Sequence, residues 1–383
     1  MKIAQILDTL YWGGAQRMQM FLIETLLPLG IEITVIDLSD SSDSSIPATL
    51  GEMGVKVVSF PFDVLFSPGS FYRLTRFLQA EKFDLLHTYL TYANIIGPAA
   101  GFLSGTPVIT SLRNADFDFK NYSRKRELLE RLAMRHLSRR TMANGYVVGE
   151  FARKRLGPKA VIDIIPNAIE PLPPLADSVK LALRREVLGD PTRTMILSIG
   201  RLTEQKGFPD LINAFASIHI DHPEAMLIIA GDGDDKDALQ TQIDSLGLQD
   251  KIRLLGMRDD ARQLMACADI YVNSSHWEGT PVTVLEAMAS GLPVIATRVG
   301  ENPYLLAENA GILVAPQQPG ELAAALQTLL HSPEERQTLA STALQRVKSH
   351  YSRETWRKSL LELYASVTLK ANAFLTPQKQ VAP

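Results

Sequence analysis

Short runs of consecutive apolar, often β-branched residues alternate along this chain with longer stretches in which apolar positions return every three or four residues. The first pattern is that of strands buried on both faces, the second that of helices with one apolar stripe, and their alternation predicts parallel sheets wrapped by helices. Strands are expected near 2–7, 32–38, 55–60, 84–89, 107–112, 141–145 and 161–165 in the first half. In the second they are expected near 194–200, 225–231, 251–256, 269–274, 293–297 and 311–314. Between the halves, Pro166 to Leu175 is dense in proline and suits a linker or hinge. The fold class expected is therefore α/β, with two Rossmann-like parallel-sheet lobes facing across a cleft. The first lobe covers 1–170, the linker 171–192 and the second lobe 193–350. A helix over about 352–370 can pack back on the first lobe, and 371–383 reads as a flexible tail.

Composition narrows the class. A chain of 383 residues is long for one core, and a net charge of −3 argues against nucleic acid as a partner. The single cysteine, Cys267, excludes an internal disulfide and a cysteine-based zinc cage. Lys2 is followed by too few apolar residues before Asp8 for a signal peptide, so a cytoplasmic location is expected. Thr88 to Leu112 carries no charge and approaches the length of a membrane span. Asn94, Pro98, Gly101, Ser104, Gly105 and Pro107 interrupt it, and it reads as buried helix, turn and strand.

The most informative segment runs from Asn273 to Thr297. Thr280 reads as an N-cap, Pro281 as the first helical residue and Gly291 as the stop, giving a helix over about 281–290. Glu278 then lies just before the helix, and Glu286 roughly 7 to 8 Å along its axis. The unpaired N–H groups of the first turn form a phosphate site between two carboxylates, which suits a nucleotide sugar. The loop after the strand near 194–200 brings Arg201 and Lys206 together, two cations able to neutralise a departing diphosphate. Gly13 and Gly14, after the first strand, allow backbone to approach an anion. Gly231-Asp232-Gly233 imitates half of a dinucleotide fingerprint, and Asp232 with Asp234 reads as a polar turn. No cluster has metal-ligand spacing, and no cofactor is expected.

These motifs resemble the family 4 retaining glycosyltransferases of the GT-B fold. The resemblance rests on Gly13-Gly14, Asp84-Leu85-Leu86-His87, Ile165-Pro166-Asn167, Gly200-Arg201-Leu202 with Lys206-Gly207, Ala230-Gly231-Asp232-Gly233, and Glu278 to Glu286 followed by Ala287 to Val294. It implies that Arg201 and Lys206 bind the donor diphosphate, Glu286 the ribose and Glu278 the transferred sugar. It further implies backbone contacts from Gly279, Thr280, Pro281 and Val282, and a base facing the backbone around Met257. The donor implied is a UDP- or GDP-sugar, transferred with retention and without metal to a hydroxyl of a glycan or lipid-linked glycan in cell-surface polysaccharide or glycolipid synthesis. Where many relatives carry a histidine, this chain has Arg113, which can hold negative charge or a sugar hydroxyl but cannot act as a general base. Ala168 and Glu170 also replace the glycine and aspartate common in relatives.

A basic stretch from Lys120 to Arg155 contains an amphipathic helix over about 121–138, with Leu128, Leu129, Leu132 and Leu137 among arginines. It can rest on an anionic membrane surface or pack its leucines on the sheet. Two rival functions remain open from sequence: a nucleotide-sugar epimerase on the same fold, and a non-catalytic nucleotide-sugar-binding scaffold.

Overall fold

The computed structural model describes residues 1–62, 67–113, 123–171 and 173–375. The chain divides into two compact units, Met1–Asn167 with Arg353–Pro383, and Ala168–Ser352. The first holds a seven-stranded parallel sheet: β1 (Lys2–Leu7), β2 (Glu32–Asp37), β3 (Lys56–Ser59), β4 (Leu85–Tyr89), β5 (Val108–Leu112), β6 (Arg140–Ala143) and β7 (Ile162–Ile164). Their order is β3-β2-β1-β4-β5-β6-β7. Central β4 and β5 are buried along their whole length, which explains their unbroken apolar or uncharged sequences.

The uncharged stretch noted above forms β4, the helix Thr91–Ser104 and β5. Its glycines let helix and sheet approach. A Cβ added to Gly97 would lie 2.4 Å from Thr88 Cγ2, and one on Gly101 would lie 2.3 Å from Val108 Cγ2. Among the described residues no helix is long and apolar enough to cross a membrane.

The second unit is a six-stranded parallel sheet of β8 (Thr194–Ile199), β9 (Ala225–Ala230), β10 (Ile252–Leu254), β11 (Ile270–Asn273), β12 (Val294–Thr297) and β13 (Ile312–Val314), in the order β10-β9-β8-β11-β12-β13. Alternate residues feed opposite cores. Ile196, Leu227, Ile229, Val272 and Ile295 pack with the helices Phe208–Ile218 and Pro319–His331. Met195, Leu197, Ile228, Tyr271 and Val294 pack with Val282–Ala289 and Pro333–His350.

Three boundaries differ from the expectation. Asp177–Leu188, within the segment read as linker, is a helix of the second unit. It buries only Val187 and Leu188, so its sequence looks polar, and it is anchored by Arg184, which pairs with Asp269 at 3.1 Å and donates to the carbonyls of Pro191 and Cys267. Leu369–Phe374 forms a 3-10 turn with Ala371 buried and Lys370 paired to Asp84 at 2.7 Å, so the folded chain continues past Ala371. The basic helix runs Arg124–Leu137; residues 121 and 122 lie outside the described ones. The helix Arg353–Ala365 belongs to the first unit, where Trp356 packs against Phe21 with ring centroids 5.4 Å apart.

Candidate active site

The strand order of the second unit reverses between β8 and β11, and open α/β sheets form ligand crevices beyond the carboxyl ends of strands at such a reversal. Two loops meet there. One follows β8 through the 3-10 turn Glu204–Lys206 to Gly207; the other follows β11 to the helix Val282–Ala289. The His276 N–H donates to the Gln205 carbonyl (2.8 Å), Gln205 Nε2 to the Trp277 carbonyl (3.0 Å) and Ser274 Oγ to the Lys206 carbonyl (2.8 Å). Gly207 is left-handed at φ 59°, and a Cβ there would lie 2.2 Å from the Ser274 carbonyl oxygen. Only glycine allows this approach.

Within this frame Lys206 Nζ lies 2.6 Å from Glu278 Oε1, with side chains 16% and 6% exposed. The same oxygen accepts from Ser275 Oγ at 2.6 Å and from Asn273 Nδ2 at 3.4 Å. Asn302 Nδ2 donates to Asn273 Oδ1 (3.0 Å) and to the Thr297 carbonyl (2.9 Å), while Thr297 Oγ1 donates to the Ser275 carbonyl (2.6 Å). A desolvated ion pair persists when hydrogen bonds of this kind offset the loss of water. Lys206 is thus engaged by Glu278, and Arg201 is the exposed cation of its loop, without an acidic partner among the described residues.

The helix beyond Glu278 starts at Val282. Pro281, with an extended ψ of 99°, occupies the cap position that the sequence suggested for Thr280, and no side chain caps the helix. Glu286, 12% exposed at its side chain, points one oxygen to within 3.9 Å of Arg262 Nε. The Gly279 carbonyl accepts from the Glu301 N–H at 3.0 Å. Met257 is 76% exposed in the loop after β10. Gly231 and Gly233 serve packing: Cβ atoms there would lie 1.8 Å from the Gly200 carbonyl oxygen and 2.4 Å from that of Leu202, so this turn supports the Arg201 loop.

The first unit reverses its strand order between β1 and β4. Gly13 has extended backbone (φ −164°) and Gly14 opens the helix Gly14–Leu26. Among the described residues a Cβ on Gly14 would meet nothing within 4 Å, and one on Gly13 only the tip of Gln16, so no packing there demands these glycines. Asp8, just after β1, accepts from the Tyr92 and Ala93 N–H groups at 3.0 and 2.7 Å, capping the helix Thr91–Ser104. Burial raises its pKa to about 7 despite these two donors, with the Glu130 charge adding to the rise.

Arg113 follows β5 and is buried, its Cζ 5.5 Å from the Tyr89 ring centroid and its Nη1 without a hydrogen-bond partner among the described residues. Burial lowers its pKa. Nearby, His87 meets Tyr364 OH through Nδ1 (2.8 Å) and Ser111 Oγ through Nε2 (2.7 Å). Burial, aided by the charge of Arg113, pushes its pKa down to about 3, so the imidazole is a neutral bridge between sheet and final helix at ordinary pH.

Two family models divide the chain. The one described as Glycosyltransferase Family 4 matches residues 12–171, and the one described as Glycosyl transferases group 1 matches residues 180–346. The chain belongs to the family 4 glycosyltransferases. As such it is a transferase. An uncharacterised glycosyltransferase of Methanocaldococcus jannaschii is 27% identical over 75% of this chain and 76% of its own length. The Escherichia coli UDP-Gal:alpha-D-GlcNAc-diphosphoundecaprenol alpha-1,3-galactosyltransferase is 27% identical over 80% of this chain and 81% of its own. Anabaena HepE, solved in complex with UDP, matches with a TM-score of 0.84 at 22% identity, covering 96% of this chain and 100% of HepE. The glycosyltransferase has the GT-B fold.

In this glycosyltransferase, Lys206, Glu278, Arg201 and Glu286 gather at the carboxyl edge of the second sheet, and Gly13, Gly14 and Arg113 at that of the first. Sequence reasoning missed Asn273, Ser275 and Asn302, which hold the Glu278 network. Polar Asn273 to Ser275 closing an apolar strand is a visible signal; Asn302 has none, since its partners come from other elements.

Proposed function

We propose that this family 4 glycosyltransferase moves a sugar from a UDP-sugar to a hydroxyl of a glycan or lipid-linked glycan, in polysaccharide or glycolipid synthesis on the cytoplasmic side of a membrane. The observation that carries the reading is the Lys206–Glu278 pair, held by Ser275 and Asn273 at the reversal of the second sheet. The UDP in HepE and the galactosyl donor named for the E. coli relative favour a uridine donor over GDP.

In the reaction the bond between the anomeric carbon and the phosphate oxygen breaks, the acceptor oxygen takes its place on that carbon, and the proton of the acceptor hydroxyl passes to the departing diphosphate. Negative charge collects on the diphosphate. Arg201, Lys206 and the N–H groups opening the helix Val282–Ala289 meet that charge. Glu278 orients the sugar through Oε2, since Oε1 serves Lys206 and Ser275; Glu286 holds the ribose, and Gly279 to Val282 supply backbone contacts. The base lies by Met257, and Gly13 and Gly14 leave room for phosphate. Arg113 holds negative charge or an acceptor hydroxyl. Transfer proceeds with retention, without metal or cofactor.

Thermal-shift titration with UDP-, GDP-, ADP- and CMP-sugars tests the donor. Selective stabilisation by UDP-sugars that weakens in Arg201→Ala is expected; equal response to all four, or none, sinks the reading. Product anomeric configuration by NMR and turnover in EDTA test retention and metal independence. Turnover of the donor to a new nucleotide sugar without acceptor would make the protein an epimerase.

A separate observation favours docking on an anionic leaflet. Leu128 and Leu132 are 45% and 43% exposed, on the same helix as exposed Arg124, Lys125, Arg131 and Arg135. Co-sedimentation with phosphatidylglycerol vesicles that Leu128→Ser and Leu132→Ser abolish is expected; unchanged sedimentation refutes it.

A further inference from the structure

The first unit carries two exposed aromatic rings that its core does not use. Tyr11 is 46% exposed and Trp12 53% exposed, in the loop between β1 and the helix Gly14–Leu26, where the sheet reverses its order. Solitary exposed aromatics are ordinary. These two differ in being fastened by their polar tips. Tyr11 OH donates to Asp43 Oδ1 at 2.5 Å, and Trp12 Nε1 donates to Ser45 Oγ at 2.8 Å.

The loop that receives them is itself fixed. Ser41 Oγ accepts from the Leu10 N–H at 2.9 Å, Ser44 Oγ donates to the Leu10 carbonyl at 2.5 Å, and Asp37 at the end of β2 accepts from the Ser41 N–H at 3.1 Å. Leu10 is fully buried beneath. The loops after β1 and β2 therefore form one hydrogen-bonded shelf. Fastened tips satisfy the polar atoms and limit ring rotation, while much of each ring stays in water. Rings held this way lose little further freedom when something packs on them.

What would pack there follows from chemistry and charge. An aromatic face attracts polarised C–H groups, and a pyranose ring presents a row of them beside its hydroxyls. Asp40 and Asp43 stand on the shelf and repel an anionic group, which disfavours a phosphate, a uronate or an anionic lipid surface. We propose that Tyr11 and Trp12 are a stacking platform for an uncharged pyranose of the acceptor glycan. This rests on the reading of the protein as a glycosyltransferase with a glycan acceptor, and it assigns the acceptor's sugar class.

The test uses the whole chain, with maltose and diacetylchitobiose as neutral probes, glucuronic acid as the charged one, and ligand-observed NMR as the readout; UDP affinity is followed in parallel. Binding of a neutral probe, weakened roughly tenfold by Trp12→Ala and kept within about threefold by Trp12→Phe, is expected. UDP affinity should change little, because the donor contacts are assigned to side chains and backbone of the second unit and to the backbone at Gly13 and Gly14, none of which the Trp12 ring supplies. Absence of neutral-sugar binding in the unsubstituted chain, equal binding in Trp12→Ala, or preference for glucuronic acid overturns the platform. So does loss of UDP affinity in Trp12→Ala, which would put the ring at the donor, or a Trp12 fluorescence response to lipid vesicles but not to sugars. Failure of UDP to bind the unsubstituted chain strikes the donor reading instead and leaves the sugar result to be judged alone.

Discussion

Removing one partner of the Lys206–Glu278 pair should separate its structural cost from its chemical role. The pair is 2.6 Å apart with side chains 16% and 6% exposed, and Glu278 Oε1 also accepts from Ser275. Breaking a buried pair by deleting one charge typically costs about 3–5 kcal/mol. Lys206→Met leaves Glu278 with only neutral donors, so the cost should fall near the lower end of that range, about 3 kcal/mol. Glu278→Gln keeps a side-chain oxygen for Ser275 and leaves the less enclosed cation, so about 1–3 kcal/mol is expected. The double variant has no unpaired charge and should recover most of the loss, because replacing a buried pair outright is often neutral. Urea unfolding reads stability, and release of UDP from a UDP-sugar in the presence of acceptor reads chemistry. Turnover should fall about 10²- to 10³-fold in each single variant, the usual cost of one oriented group facing developing charge, and should stay low in the stable double variant. Refolded but inactive double variants would mean that the charges serve the reaction. Turnover that returns with stability would refute the reasoning and leave the pair a structural one.

Arg113 is a buried cation with no acidic partner among the described residues, so Arg113→Met should raise stability by about 1 kcal/mol or more in urea titration while lowering transfer; a fall in stability would show that the guanidinium is compensated. Asp8 has a folded pKa of about 7, above its unfolded value, so the native state binds the extra proton. Its contribution is therefore greatest below about pH 4 and is lost as pH rises toward 7; Asp8→Asn should flatten that part of the urea midpoint against pH. Gly207→Ala forces a Cβ to 2.2 Å from the Ser274 oxygen at φ 59°, and should cost about 2 kcal/mol or more with loss of UDP binding, read by thermal shift.

The thirteen strands among the described residues and their alternation with helices were legible because most are short, largely apolar runs in parallel sheets, whereas edge strands such as Ile162–Ile164 and Ile252–Leu254 are marked mainly by their place in the alternation. Asp177–Leu188 was not, since a helix that buries only its last turn gives no strong stripe. Glu278 and Lys206 could be singled out in sequence, but not their pairing, which depends on Gly207 and Ser274 bringing two loops together. The helix start was misplaced by one residue because Pro281 suits both the cap and the first turn; its extended ψ decides for the cap. The outward placing of Leu128 and Leu132 was equally hidden, since the helix turns Glu130, Ala133 and Met134 inward instead, and buried Glu130 is paired with Arg155 at 2.8 Å.

The chain leaves the first unit at Asn167 and re-enters it at Arg353, and the entry and exit of the second unit are tied by the Ile169 N–H donating to the Tyr351 carbonyl at 2.9 Å. The helix Arg353–Ala365 supplies Trp356 to Phe21 and Tyr364 to His87. During synthesis the first unit must therefore wait, with those sites unfilled, while the ribosome makes the whole of the second. The later-made unit can finish folding first, and the earlier one is completed only when its last helix emerges.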